Sequence, residues 1–85
     1  AFTAMYLEAL SDAGVLYGLS RSDAYEMSAM MLMGTGMLYL EEKQHPGMMK
    51  DAVCSPGGTT IKGVAQLEKS GFRSAIIEAI QMIEG

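Results

Sequence analysis

MSAMMLMGTGMLYL, residues 27–40, contains no charged side chain, and Met27, Met30, Met31, Met33 and Met37 crowd into it. The run is too short to cross a membrane, which takes about 20 apolar residues. It also lacks the polar face of an ordinary surface helix, so it reads as a helix buried on several sides. With its flanks it extends from about Arg21 to Glu42, where Glu41, Glu42 and Lys43 return the chain to solvent. A chain of 85 residues can hardly surround such a helix by itself. A second copy is therefore expected to cover part of it, by interlocking helices. Gly34 and Gly36 permit close helix approach there, at a cost of about 1 kcal/mol each in helix propensity. Thioethers are soft ligands for Cu(I), but a methionine stripe on a helix is read as adaptable packing, and no metal is expected.

Outward from this helix the pattern stays helical. Phe2, Met5, Tyr6, Ala9, Ala13, Leu16 and Tyr17 share one face of a first helix, about Phe2 to Tyr17. Leu7 and Val15 lie off that stripe, which points to apolar neighbours on more than one side. Gly18 stops the helix, Leu19 supplies the contact after its cap, and Ser20 is an N-cap with Asp23 three positions on. His45-Pro46 opens a short third helix through Lys50, with Pro46 at the tolerated first position. A fourth runs from about Thr60 to Lys69, and a fifth from about Phe72 to Ile83 after Ser70-Gly71. No strand pattern, repeat or low-complexity linker is visible. The expected fold is all-α, one small domain of about five helices over residues 1–85.

The net charge of −4, without a basic run, argues against nucleic acid and against an anionic membrane surface. The single cysteine, Cys54, cannot form an internal disulfide and has no partners at ligand spacing. The first residues show no signal-peptide pattern, and the cytoplasm is the expected location. The abrupt start and the end at Gly85 read as a piece of a longer protein. Gly34-Thr35-Gly36 lies within a helical pattern without a preceding strand, so it is not a dinucleotide fingerprint.

The helical pattern breaks at DAVCSPGGTT, residues 51–60. Pro56 fixes one φ and has no N–H, and Gly57 and Gly58 carry no Cβ to block a small molecule. The helix that follows would aim its free N–H groups at this loop, a ready site for a carboxylate. The simpler reading is a turn with a threonine cap. The frame HPGMMKDAVCSPGGTTIKGVAQLEKSGFRSAIIEAI, residues 45–80, resembles the signature of the pyrroline-5-carboxylate reductases. EALSDAGVLYGLSRSDA, residues 8–24, resembles the helical domain of the same family.

That resemblance implies a 6-phosphogluconate dehydrogenase C-terminal-like helical domain, interlocked as a homodimer and sometimes assembled into larger rings of dimers. It implies reduction of 1-pyrroline-5-carboxylate to L-proline, the last step of proline biosynthesis, with NADPH or NADH. The cofactor would be held mainly by an N-terminal dinucleotide-binding domain absent from these residues, leaving this piece inactive alone. By the same resemblance Thr60 is the catalytic position, hydrogen-bonding the ring nitrogen of the substrate. Ser55, Gly57, Gly58 and Thr59 would cradle the substrate carboxylate, and Val53 would line the ring. Thr59 remains available as the helix cap. Two alternatives stay open: a non-catalytic helical oligomerisation module, and a reductase of another cyclic imino acid.

Other polar residues receive plainer readings. Glu8 and Asp12, four apart, are expected at a solvated edge or against a neighbouring subunit. His45 is expected to help cap the third helix, and Lys50 and Asp51 to support the loop. Lys43 receives no substrate contact, and Cys54 is expected to be a buried, inert thiol.

Overall fold

Helix ends fall where the capping residues put them. The computed structural model describes residues 1–85 and contains five helices. These are α1 (Phe2–Leu16), α2 (Arg21–Glu42), α3 (Pro46–Ala52), α4 (Thr59–Lys69) and α5 (Phe72–Glu84). The chain forms two compact units, residues 1–44 and 45–85. No helix is long and apolar enough to cross a membrane.

In the first unit, α1 ends in a paired C-terminal lock. Gly18 adopts φ +104, which a side chain would resist. The Leu19 N–H then donates to the Gly14 carbonyl at 3.0 Å, and the Gly18 N–H to the Val15 carbonyl at 3.0 Å. These two bonds form a Schellman motif, and Leu19 folds back so that its Cδ1 lies 3.1 Å from the Cβ position of Gly14. Ser20 caps α2 by accepting from the Asp23 N–H at 3.1 Å, a contact contributing about 1 kcal/mol.

The face of α1 that packs on α2 differs from the expected stripe. Ser11 is fully buried, with Leu7, Leu10 and Gly14 partly buried beside it. On α2, Ala24 and Ser28 are buried and Leu32 partly buried, spaced i, i+4, i+8, and Leu10, Gly14, Ala24 and Ser28 line one groove. Small residues decide this crossing: a Cβ on Gly14 would sit 3.2 Å from the Ala24 Cβ. The Ser11 hydroxyl donates to the Leu7 carbonyl at 2.9 Å, so no polar group is stranded at the contact. The apolar stripe expected to pack is left outside, with Leu16 at 77% and Tyr17 at 88% exposure. Apolarity alone cannot rank two faces of one helix, because close approach requires small side chains where the backbones cross. Asp12 is also claimed within the chain, by Arg21 Nη1 at 2.7 Å. That hydrogen bond holds the Arg21 guanidinium above its ordinary pKa.

Lys43 ends α2 at φ +54, and it is the only non-glycine residue at positive φ. Its N–H donates to the Tyr39 carbonyl at 2.7 Å and its ammonium lies 5.7 Å from the Tyr39 ring. Left-handed backbone costs a side-chain-bearing residue about 1–2 kcal/mol, partly offset by the extra unfolded-state entropy of glycine. Lys43→Gly is therefore expected to stabilise the protein by about 0.5–1 kcal/mol. An unchanged or lower midpoint in urea unfolding would contradict this.

Candidate functional site

The site expected from sequence lies wholly in the second unit, between α3 and α4. His45 opens α3 through its side chain, Nδ1 accepting from the Gly47 N–H at 2.9 Å. Pro46 follows at the first helical position. At the other end of α3, the Val53 N–H donates to the Lys50 carbonyl and the Cys54 N–H to the Asp51 carbonyl, both at 3.1 Å. Lys50 Nζ and Asp51 Oδ1 pair at 3.3 Å. The main-chain carbonyls of Lys50 and Asp51 thus hold the start of the loop.

Ser55-Pro56-Gly57-Gly58 then forms one tight turn. The Gly58 N–H donates to the Ser55 carbonyl at 3.0 Å, and Gly57 takes φ +70. Proline second and a positive-φ glycine third are the residues a type II turn demands. Gly58 has an ordinary φ of −76, so its requirement is space rather than conformation. A Cβ there would lie 2.5 Å from Ser55 Oγ and 3.3 Å from the Ser55 carbonyl oxygen. Gly58→Val is thus expected to displace the serine hydroxyl and cost about 1–3 kcal/mol by overpacking. Thermal unfolding measures that loss, and an unaltered midpoint would contradict the close packing of Ser55 on Gly58.

Helix α4 begins one residue earlier than expected, at Thr59, with Gly58 as N-cap and no side-chain capping bond. Thr59 is accordingly not the cap. The N–H groups of Thr59, Thr60 and Ile61 have no carbonyl four residues back within their own helix. They stand at the positive end of the α4 dipole, where an anion is favoured. The Gly58 N–H, by contrast, is occupied in the turn. Donation to a ligand from this loop therefore rests on the first turn of α4 and the Ser55 hydroxyl more than on Gly58.

Val53, Ser55, Gly57, Thr59 and Thr60 are all exposed, and Gly58 is half-buried. Cys54 is half-buried rather than fully enclosed, a correction to the expected buried thiol. Elsewhere in this unit, Lys50 joins Val64, Leu67, Glu68, Phe72 and Arg73 around a cavity of about 310 Å³. Two of these residues, Glu68 and Arg73, form an ion pair at 3.0 Å. No cluster of three or more His, Cys, Asp or Glu side chains is arranged to hold a metal.

The chemistry available is that of a polar, uncapped helix start beside a rigid turn. It offers backbone donors for a carboxylate and two threonine hydroxyls for a neighbouring heteroatom. It carries no strand leading into a glycine-rich phosphate loop.

Comparison with known proteins gives this geometry a context. A family model described as pyrroline-5-carboxylate reductase dimerisation matches residues 1–84. The pyrroline-5-carboxylate reductase of Escherichia coli (strain K12) is 51% identical over 80 residues, 94% of this chain and 30% of that protein. The Synechocystis enzyme of the same name is 54% identical over 81 residues, 95% of this chain and 30% of that protein. The chain thus spans about 30% of the length of these relatives. A solved 1-pyrroline-5-carboxylate reductase from Streptococcus pyogenes superposes with a TM-score of 0.92 at 34% identity, covering 94% of this chain and 31% of that one. A Plasmodium falciparum pyrroline carboxylate reductase with NADP bound gives 0.91 at 31% identity, covering 94% and 30%.

Proposed function

From the premise that this chain belongs to the pyrroline-5-carboxylate reductase dimerisation family, we propose that it is the substrate-binding and dimer-forming part of a reductase. The reaction is reduction of the C=N bond of 1-pyrroline-5-carboxylate to give L-proline, in the cytoplasm. The observation that carries this reading is the match of the family over residues 1–84 to a chain whose α3–α4 turn ends in an uncapped helix start. NADPH or NADH, when bound, supplies the hydride. The dinucleotide is held mainly by a further, N-terminal domain of the whole protein.

The roles of the chain's own residues follow from the loop. The substrate carboxylate sits against the Ser55 hydroxyl and the N–H groups that open α4, with Gly57 and Gly58 giving it room. Val53 lines the apolar side of the ring. Thr60 directs its hydroxyl to the ring nitrogen, orienting the substrate and relaying a proton from water to the nitrogen as the bond is reduced. Polar groups already aimed at the reacting atoms need no rearrangement during the reaction.

The proposed dimer covers what one chain leaves bare. Only Ala24 is a buried apolar residue, while Met30 and Met33 of α2 stand 61% and 60% exposed. The Cβ positions of Gly34 and Gly36 meet nothing within 4 Å in a single chain. A second copy laid along α2, with rings of such dimers in a larger assembly, removes this surface from water.

The same exposed helix also favours a second reading, a helical oligomerisation module whose turn binds nothing. NAD(P)H oxidation by the full-length protein with 1-pyrroline-5-carboxylate decides between them. Turnover establishes the reductase. Absence of turnover with either cofactor, in a protein that still dimerises, leaves the module or a reductase of another cyclic imino acid.

A further inference from the structure

We infer that Gly58 is a positioning residue: its missing side chain is the seat of the Ser55 hydroxyl, which the turn thereby holds at the start of α4 for the substrate carboxylate. The inference rests on the substrate reading proposed above. The two glycines of the turn have different jobs. Gly57 takes φ +70, and a Cβ on it would meet nothing within 4 Å, so its need is conformational. Gly58 has φ −76 and ψ 177, backbone that any residue adopts, so its need is space. That space is taken by the chain itself. Ser55 Oγ lies 2.5 Å from where a Gly58 Cβ would stand, whereas Ser55 Cβ is 3.8 Å away, an ordinary contact.

None of the chain's side-chain hydrogen bonds involves Ser55. Its hydroxyl is placed by packing over the bare Cα of Gly58, and its proton is left to donate to a carboxylate. Gly58 is also the N-cap of α4, where serine, threonine, aspartate and asparagine are favoured because their oxygen accepts from the first helical N–H groups. Such a side chain would expel the Ser55 hydroxyl and occupy the donors that open α4. Glycine gives up the cap and keeps both. A methyl group at position 58 would turn the serine to another rotamer, and deleting the hydroxyl would remove the same contact. Two changes acting on one contact do not add. The contact is to the carboxylate and not to the C=N bond, so its loss falls on KM.

The test uses the full-length protein as wild type, Gly58→Ala, Ser55→Ala and the double variant. NAD(P)H oxidation gives KM and kcat for 1-pyrroline-5-carboxylate, and thermal unfolding gives the midpoint. Each single variant should raise KM about ten- to a hundredfold, the worth of one hydrogen bond to a charged group, with kcat within about threefold of wild type. The double variant should raise KM no further than Ser55→Ala alone. Its midpoint should lie above that of Gly58→Ala, because the oxygen that crowds the new methyl is gone. KM losses that multiply in the double variant, or a Gly58→Ala protein with wild-type KM, would overturn the inference. So would a double variant no more stable than Gly58→Ala. If Gly58→Ala fails to fold, the double variant decides: folding with the KM of Ser55→Ala supports the seat, and failure to fold overturns it. A wild type that oxidises neither cofactor overturns the substrate reading together with the inference, whereas turnover with multiplying losses overturns the inference alone.

Discussion

Met33→Glu should convert the full-length protein from a dimer to a monomer. Met33 stands 60% exposed in the single chain, within a helix that has no charge from residue 27 to residue 40. In one chain the glutamate would be harmless, since water reaches it. In a dimer that closes over α2 it becomes a carboxylate without a counter-charge, costing several kcal/mol. Two-fold symmetry doubles that cost, so the dissociation constant should rise by at least about a thousandfold. Met31→Glu should act on folding as well, because Met31 lines the groove between α1 and α2. Light scattering and circular dichroism separate the two effects. If both variants keep full helicity and remain dimers, the association surface lies elsewhere than α2.

Thr60→Ala should lower kcat/KM of the full-length protein in the proposed reduction about 10²- to 10³-fold, the range for removing one aligned donor or proton relay. The structure makes this a clean substitution. No side chain caps α4, so the Thr60 hydroxyl can be removed without loosening the helix start. Dimerisation and the unfolding midpoint should therefore stay near wild type. The split between constants identifies the role: a fall in kcat means that the hydroxyl acts in the transition state, and a rise in KM alone means that it only holds substrate. Unimpaired turnover in Thr60→Ala would remove it from the site. Thr59→Ala gives the matching control for carboxylate binding, expected to appear mainly in KM.

Much of the local structure was legible because it depends on neighbours in sequence. Ser20 accepting from Asp23, Gly18 at positive φ, Pro46 opening α3 and His45 capping it are contacts among residues at most a few positions apart. The type II turn at Ser55–Gly58 is of the same kind, since Pro56 and Gly57 carry its backbone angles in their own chemistry. Other features escaped. Lys43 at φ +54 has no side-chain signature, because lysine is not a residue that favours left-handed backbone. The closeness of Ser55 Oγ to Gly58 was likewise hidden, since Gly58 resembles any turn glycine until its φ of −76 removes the conformational explanation.

The sequence by itself determined that this protein is all-helical, roughly where its helices start and stop, and that α2 has no charged side chain from residue 27 to residue 40. Those properties follow from side-chain periodicity and from capping bonds spanning a few residues, and both are written into the chain order. Only the tertiary structure decided which face of α1 meets α2, because Ser11, Gly14, Ala24 and Ser28 permit a close crossing that the larger stripe from Phe2 to Tyr17 does not. It also decided which donors the loop keeps. Whether the Gly58 N–H closes the turn or faces outward, and whether a threonine caps α4, depends on where the chain's atoms finally stand relative to one another. Hydrogen bonds are short-ranged and directional, so residue type names the candidates and only geometry assigns the partners.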